Sequence, residues 1–304
     1  MELVLLTVRQ LLVMLLYLLV GFVLYRCGVV TPAGSKDLAA LLVKLVIPAV
    51  IVNSFCVPFS PERLWALEQS AVLAALLLGL AVLVARLLYR HAPLENFGAA
   101  FSNAGFMGIP LVTAVLGSDA VLYIVPFVAL LNVLQWTYGV DVICERRTPL
   151  SLRQLFWNPP MVGIGIGLLL FVTGAGGALP GVVETTLRGV CGLNAPLAMM
   201  ILGIYLAREN PATLFTEPRL YGASAVRLLL IPLLSAVVLR VLPVPRTMAL
   251  AVLICAAAPV GANVAVYAQL HGKDHAYASK LVVLSTLFSL LSLPLVTAVG
   301  QFLL

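Results

Sequence analysis

Apolar stretches about as long as a bilayer crossing recur along the whole chain, separated by short polar, charged or Pro/Gly-rich breaks. A helix needs about 20 residues to cross the hydrocarbon core, and this pattern predicts ten spans. They cover roughly residues 3–25, 37–57, 68–90, 95–117, 120–143, 158–174, 187–207, 218–242, 247–271 and 276–303. Because lipid cannot satisfy open backbone groups, we predict an all-α polytopic membrane protein.

The composition excludes a water-soluble globular domain. Hydrophobic residues make up 62% and charged residues 10% of the chain, whereas soluble domains carry about 25% charged residues. The N-terminal run has no early charged region and no small-residue cleavage site, so we predict a retained helix. The cysteines are scattered singly and the basic residues form no patch, so we expect no metal, no cofactor and no nucleic-acid partner.

Basic residues are distributed unevenly among the nine predicted loops and their flanks. Eleven flank the odd-numbered loops: Arg26, Lys36, Arg86, Arg90, Arg146, Arg147, Arg153, Arg208, Arg219, Lys273 and Lys280. Four flank the even-numbered loops: Arg63, Arg188, Arg240 and Arg246. The positive-inside rule places the odd loops in the cytoplasm and both termini on the extracytoplasmic side. We therefore predict a multi-pass protein of the cell inner (plasma) membrane.

Intramembrane prolines reveal an internal repeat. A shift of about 149 residues superimposes the first five spans on the last five, placing Pro48 opposite Pro196 and Pro110 opposite Pro259. Because each half has an odd number of spans, the halves must enter the membrane from opposite sides. We predict two inverted five-helix repeats, residues 1–148 and 149–304.

Spans 4 and 9 each combine a proline, glycines and an asparagine, in segments 103–110 and 258–263. Proline removes a helix hydrogen bond and glycine permits unusual backbone angles, so both spans are predicted to break. Crossed breaks would place positive half-helix N-termini near the midplane, where they favour an anion. The candidate substrate-binding residues here are Asn103, Gly105, Gly108, Pro110, Pro259, Gly261 and Asn263.

Three basic residues fall within or near the predicted spans and away from the loop flanks: Arg9, near the outer end of span 1, is expected to extend to the membrane interface, whereas Lys44 and Arg227 lie deeper. Either can attract a carboxylate substrate, and both are included among the candidate substrate-binding residues. Either can instead pair with a carbonyl released by a helix break, or extend to the membrane interface. No Asp or Glu lies near the middle of a crossover span, which weakens a carboxylate proton relay; sodium held by carbonyls and hydroxyls stays open.

Three segments resemble signatures of the auxin efflux carrier family, which includes plant PIN-FORMED exporters, bacterial carriers and putative malonate transporters. The segments are Asn103-Ala-Gly-Phe-Met-Gly-Ile-Pro110-Leu111, Ala258-Pro259-Val-Gly-Ala-Asn263-Val-Ala-Val-Tyr267 and Leu284-Ser285-Thr286 through Pro294. The resemblance implies a ten-helix inverted repeat with helices 4 and 9 broken and crossed. Helices 1, 2, 6 and 7 would form a scaffold, the remaining helices a moving transport domain, and Asn103 would contact substrate. Asn263 matches bacterial members, whereas plant carriers differ there.

We therefore expect a secondary transporter that carries a small organic anion, a malonate- or auxin-like carboxylate, by alternating access. We expect it to contact membrane lipid and to form a homodimer through the scaffold helices. A membrane enzyme is disfavoured because the chain lacks H-E-x-x-H, G-x-S-x-G and paired intramembrane aspartates. A channel and a sodium-coupled bile-acid-symporter-like carrier stay open. The anion, the direction of flux, the coupling ion and the oligomeric state are not specified by the sequence.

Overall fold

The computed structural model describes residues 2–144, 157, 159–208 and 214–304, and these residues fold into helices without a strand. In chain order the helices are α1 Glu2–Arg26, α2 Pro32–Phe55, α3 Pro61–Leu88, α4 Pro93–Ala100, α5 Ala104–Leu116, α6 Ser118–Ile143, α7 Pro159–Val172, α8 Gly181–Arg208, α9 Pro218–Arg240, α10 Arg246–Ala257, α11 Asn263–Leu270 and α12 His275–Leu303. Arg146, Arg147, Arg153 and the predicted boundary between residues 148 and 149 lie outside the described residues.

Within these ranges, seven helices are long and apolar enough to cross a membrane: α1, α2, α3, α6, α8, α9 and α12. Three shorter apolar helices, α5, α7 and α10, lie where predicted spans 4, 6 and 9 were placed. The helical fold predicted from the apolar runs is thus confirmed. The count of ten spans stays a prediction.

The starts of α3 and α8 differ from the predicted boundaries. These helices begin at Pro61 and Gly181 rather than near residues 68 and 187. The Ser60 side chain caps α3 by accepting a 3.3 Å hydrogen bond from the Arg63 amide, and the first turns of α8 carry an ion pair of 2.6 Å between Arg188 and Glu184. Polar residues in a first turn can form a stable helix, but a search for apolar runs does not include them.

Three prolines within the helices follow widened turns rather than breaks, whereas Pro294 lies in the regular helix α12. Pro48, Pro110 and Pro232 each lie two residues after a five-residue π-helical turn. Such a turn relieves the clash between the proline ring and the preceding carbonyls. Pro110 and Pro259, which the predicted repeat places opposite each other, therefore differ in local structure. Pro259 lies in a helix break, whereas Pro110 lies inside α5 and the nearest break is residues 101–103.

Glycines set the closest helix pairs. A methyl group at Gly21 or Gly203 would collide with the facing backbone of α8 or α1, at Met200 and Leu18 respectively. At Gly163 of α7 it would lie 3.0 Å from the Cα of Pro48 in α2. The pairs α1–α8 and α2–α7 thus pack backbone to backbone, as small residues allow between membrane helices.

The outer surface of the bundle is apolar. Leu5, Leu87, Leu169, Leu291 and Phe302 are between 65% and 90% exposed, and they lie on α1, α3, α7 and α12. So much exposed aliphatic surface suits a lipid solvent and would be unstable in water. The chain is a multi-pass membrane protein.

Candidate functional site

The two helix breaks pair with each other. Residues 101–103, between α4 and α5, run antiparallel to residues 258–262, between α10 and α11, through an isolated bridge of Ser102 and Val260. The backbone N–H of Asn103 donates to the Pro259 carbonyl at 2.7 Å, and the backbone N–H of Gly261 donates to the Phe101 carbonyl at 3.0 Å. The two breaks are thus brought together as one crossover; the first overlaps the predicted segment 103–110 only at Asn103, and the second falls within segment 258–263.

The crossover backbone is satisfied by protein groups rather than by lipid. The Val260 amide donates to the Ser285 Oγ of α12 at 3.1 Å. Gly261 is required by close approach, because a Cβ there would lie 3.1 Å from the Ser102 carbonyl oxygen and 3.3 Å from that of Phe101. A buried backbone group without a partner costs about 1–3 kcal/mol, so these contacts hold the breaks in one geometry.

Asn103 has a free buried donor at the crossover. Its carbonyl accepts from the Met107 and Gly108 amides at 3.0 and 3.2 Å and so starts α5, but its side chain makes no capping hydrogen bond. The side chain belongs to a residue 5% exposed, and its Nδ2 has no partner among the described residues. The adjacent Ser102 Oγ is also unpartnered there. Unsatisfied buried donors of this kind are uncommon and suit a ligand or an ordered water.

Asn263 is held by a residue that sequence reasoning missed. Its Nδ2 donates to the Oε1 of Gln135 at 2.7 Å, and Gln135 is a buried residue in a π-helical turn of α6. Asn263 itself is the first residue of α11. This bond ties the start of α11 to α6.

Two predicted glycines connect α5 with its neighbours. Gly108 packs against α10, where a Cβ would lie 3.0 Å from the Cys255 Sγ. A Cβ at Gly105 would meet only Ile47 of α2, at 3.7 Å. Gly105 therefore lies where α5 faces α2, and Gly108 lies where α5 faces α10.

A cavity of about 250 Å³ separates α5 from α1, α2 and α8. We call it the interface cavity; it is lined by Pro110 and Thr113 of α5, with Gln10, Asn53 and Asn194 from the other three helices. Asn194 is 4% exposed and its Oδ1 is unpartnered within the described ranges. The cavity thus presents several amide and hydroxyl groups between otherwise apolar helices.

A second cavity of about 250 Å³, the mouth cavity, shares Asn53, Ser54 and Ser118 with the interface cavity. It also contains Asp119 and the Glu184–Arg188 ion pair, at the ends of α6 and α8. The two cavities therefore lie next to each other, one at the helix ends and the other beside Pro110.

Lys44 and Arg227 are placed very differently. Lys44 is exposed in a π-helical turn of α2, and its assignment as a substrate contact stays a prediction. Arg227 is 1% exposed and donates to the carbonyls of Ala99, Ala100 and Ala256. These carbonyls end α4 and α10, as expected from the interpretation in which Arg227 pairs with carbonyls released by the breaks.

Several polar residues of the site escaped the sequence analysis: Gln10, Asn53, Thr113, Gln135 and Asn194. None of them is ionisable or lies in the Pro/Gly segments 103–110 and 258–263 that marked the breaks. A search for amide side chains within apolar spans would have found four of these residues, because amides are also costly in lipid. Thr113 carries no comparable signal, since hydroxyl side chains often donate to carbonyls of their own helix. Ser285 lies in a segment that resembles a family signature, but no role was predicted for it.

Comparisons with known proteins identify the family of the chain. The chain matches the family described as "Membrane transport protein" over residues 6–154 and 146–297. It is also similar to an "Uncharacterized transporter" of Methanothermobacter thermautotrophicus, with 24% identity over 291 residues that cover 92% of this chain and 94% of the relative. The chain therefore belongs to the membrane transport protein family, which is the auxin efflux carrier family that its motifs resemble.

Proposed function

We propose that this transporter is a secondary carrier of a small organic anion, a carboxylate of the malonate or auxin type, which binds where the crossover faces α1, α2 and α8. The unpartnered Nδ2 of Asn103 carries the proposal, because it is a buried donor beside the first turn of α5. A carboxylate oxygen would satisfy it. The candidate residues Gly105, Gly108 and Pro110 on one side, and Pro259, Gly261 and Asn263 on the other, would surround the substrate. The Gly108 and Gly261 amides already donate within the crossover, so the first amides of α5 and α11 would complete the site.

The electrostatics of the crossover favour an anion. The N-termini of α5 and α11 both begin at the paired breaks, and each helix N-terminus carries about half a positive charge. The C-termini of α4 and α10 end at the same place but are neutralised by the Arg227 guanidinium. The side open to a ligand is therefore electropositive, without an ionised side chain in the site.

Helix neighbours support the inverted repeat of residues 1–148 and 149–304. The pair α1–α8 corresponds to α7–α2 under the repeat, α3–α6 corresponds to α9–α12, and α4–α9 corresponds to α10–α3; all six contacts are present. In this proposal α1, α2, α7 and α8 form the scaffold and the other helices form the transport domain. Motion of one group against the other would expose the interface cavity alternately to each side.

The same proposal places the mouth cavity on the extracytoplasmic side. It is formed at the ends of α2, α6 and α8, in the even-numbered loops of the predicted topology. Both termini would then lie outside an inner (plasma) membrane. A homodimer through the scaffold helices is a further element of this proposal.

Uptake and counterflow in proteoliposomes test the substrate. A panel of radiolabelled mono- and dicarboxylates, with malonate and indole-3-acetate among them, is measured with sodium and proton gradients imposed separately. We expect saturable transport and counterflow of one carboxylate. Asn103→Ala should raise the KM about 10- to 100-fold, the value of one hydrogen bond to a charged group, without lowering the unfolding temperature.

Asn132→Ala is the matched control. Asn132 is also an intramembrane asparagine, but its Nδ2 already donates to the Val128 carbonyl of its own helix at 2.8 Å, so the KM should not change. Normal kinetics in Asn103→Ala would refute the assigned contact. Flux that does not saturate and shows no counterflow would indicate a channel instead.

A further inference from the structure

The most deeply buried charge of the described residues lies at the back of the crossover. Arg227, in the π-helical turn Val226–Leu230 of α9, is 1% exposed. Its Nη1 donates to the carbonyls of Ala99 at 3.0 Å and Ala100 at 3.3 Å, and its Nη2 donates to the carbonyl of Ala256. A single guanidinium therefore joins two helices that come from opposite halves of the chain.

These three carbonyls are the terminal acceptors of broken helices. Ala99 and Ala100 end α4, and Ala256 is the penultimate residue of α10. The last carbonyls of a helix lack partners within the helix and carry about half a negative charge. Two such ends sum to about one negative charge, which one guanidinium balances. This balance explains how an arginine is tolerated at full burial in a membrane span.

Carbonyls of this kind have a second use in secondary transporters. Half-helix C-termini and unwound backbone carbonyls are the groups that coordinate a coupling Na⁺ in carriers with discontinuous helices. In this protein the Arg227 guanidinium already donates to the carbonyls of this kind at the ends of α4 and α10. Among the residues that the structure describes, no cluster of three or more His, Cys, Asp or Glu side chains provides another cation cage.

We propose that Arg227 is a built-in substitute for a coupling cation, so that the crossover binds no metal ion and transport requires no sodium. The inference rests on the proposed anion site and deepens it. A fixed positive charge behind the breaks would let the crossover bind an anion whether or not an ion gradient is present. It makes Arg227 a positioning residue, aimed at α4 and α10, rather than a substrate contact.

Thermal unfolding of the purified protein, without substrate, tests the cation position. The unfolding temperatures of wild type, Arg227→Ala and Arg208→Ala are measured in choline chloride and after equal replacement by sodium, potassium or guanidinium chloride at low millimolar concentration. Wild type should show the same temperature in all four salts. Arg227→Ala should unfold several degrees lower and recover with guanidinium or sodium, since a ligand that binds only the folded state stabilises it.

Arg208→Ala is the control for the loss of an arginine that also contacts a backbone carbonyl. Arg208 is exposed and donates to the Pro32 carbonyl at 3.4 Å, away from the crossover, so guanidinium should not restore stability in that variant. If sodium specifically stabilises wild type, or if no cation restores Arg227→Ala, the proposal is wrong. Should Arg227→Ala not fold, Arg227→Lys keeps the charge, and sodium-specific stabilisation of wild type remains decisive.

Counterflow of the carboxylate that the uptake panel identifies is the functional measurement. The wild-type rate should change by less than about twofold when sodium is replaced by choline, because in this proposal the guanidinium occupies the crossover carbonyls that would otherwise coordinate sodium. Arg227→Ala should lose counterflow and regain it with guanidinium or sodium. Wild-type counterflow that requires sodium would overturn the proposal. If no carboxylate is transported at all, the anion assignment fails while the unfolding experiment still decides the role of Arg227.

Discussion

The backbone N–H of Asn103 donates a 2.7 Å hydrogen bond to the backbone carbonyl of Pro259. This contact joins two helix breaks that are 156 residues apart in the sequence (259 − 103). Because its backbone is fixed in this way, the Asn103 side chain is held in place while its Nδ2 stays unpartnered within the described part of the chain. The predictions below follow from this crossover and from the helix contacts that support it.

Replacing Asn103 by aspartate should separate folding from substrate binding. The new carboxylate would add negative charge at the start of α5, where it stabilises a helix by about 0.3–1 kcal/mol. The same charge would repel a carboxylate substrate and remove the free donor. We expect an unchanged or higher unfolding temperature together with at least about a tenfold loss of substrate affinity. Tighter carboxylate binding by Asn103→Asp would contradict an anion site.

Gly261→Ala should disturb the crossover through a close contact alone. The added methyl group would lie 3.1 Å from the Ser102 carbonyl oxygen, and Gly261 does not have a positive φ. Overpacking of this kind costs about 1–3 kcal/mol, so we expect a lower unfolding temperature and reduced transport. Gly79→Ala in α3 is the control, since a methyl group there meets nothing within 4 Å. Equal effects of the two changes would argue against the tight pairing of the breaks.

Gly203→Ala should weaken the packing of α1 on α8. A methyl group at this position would collide with the Leu18 backbone, so the two helices must move apart at a cost of about 1–3 kcal/mol. Gly189 lies in the same helix with nothing within 4 Å, and Gly189→Ala should leave the unfolding temperature unchanged or slightly raised. Thermal unfolding in detergent measures both. A stable Gly203→Ala protein would show that the α1–α8 contact is looser than described.

Cys27 reports the topology. It is a free, exposed cysteine after α1, in the first loop, which the basic residues place in the cytoplasm. In a variant that keeps only this cysteine, a membrane-impermeant maleimide should label Cys27 only after the cells are permeabilised. Phe59→Cys, in the loop between α2 and α3, should be labelled in intact cells; Phe59 is 44% exposed. The reverse pattern would invert the proposed orientation.

The helical membrane fold was predictable because it depends on local composition. Nearly every apolar run in the described ranges became a helix, and the starts of α3 and α8 were misplaced only where polar turns extend the helix beyond the apolar run. The broken spans were also predictable, since Pro259, Gly261 and their neighbours have local effects on the backbone. The break in span 4 was expected in segment 103–110 but lies at residues 101–103, so the two overlap only at Asn103, and Pro110 lies inside α5. A π-helical turn accommodates this proline, and such a turn has no clear sequence signal.

The sequence by itself determined a multi-pass helical membrane protein with two interrupted spans, because apolar length and Pro/Gly content act over a few turns of chain. Only the tertiary structure decided which buried polar groups contact one another. It pairs Ser102 with Val260, joins Asn263 to Gln135, and directs Arg227 to the ends of α4 and α10. Most of these contacts join residues more than a hundred positions apart, and the chain must fold before the buried polar groups can find one another.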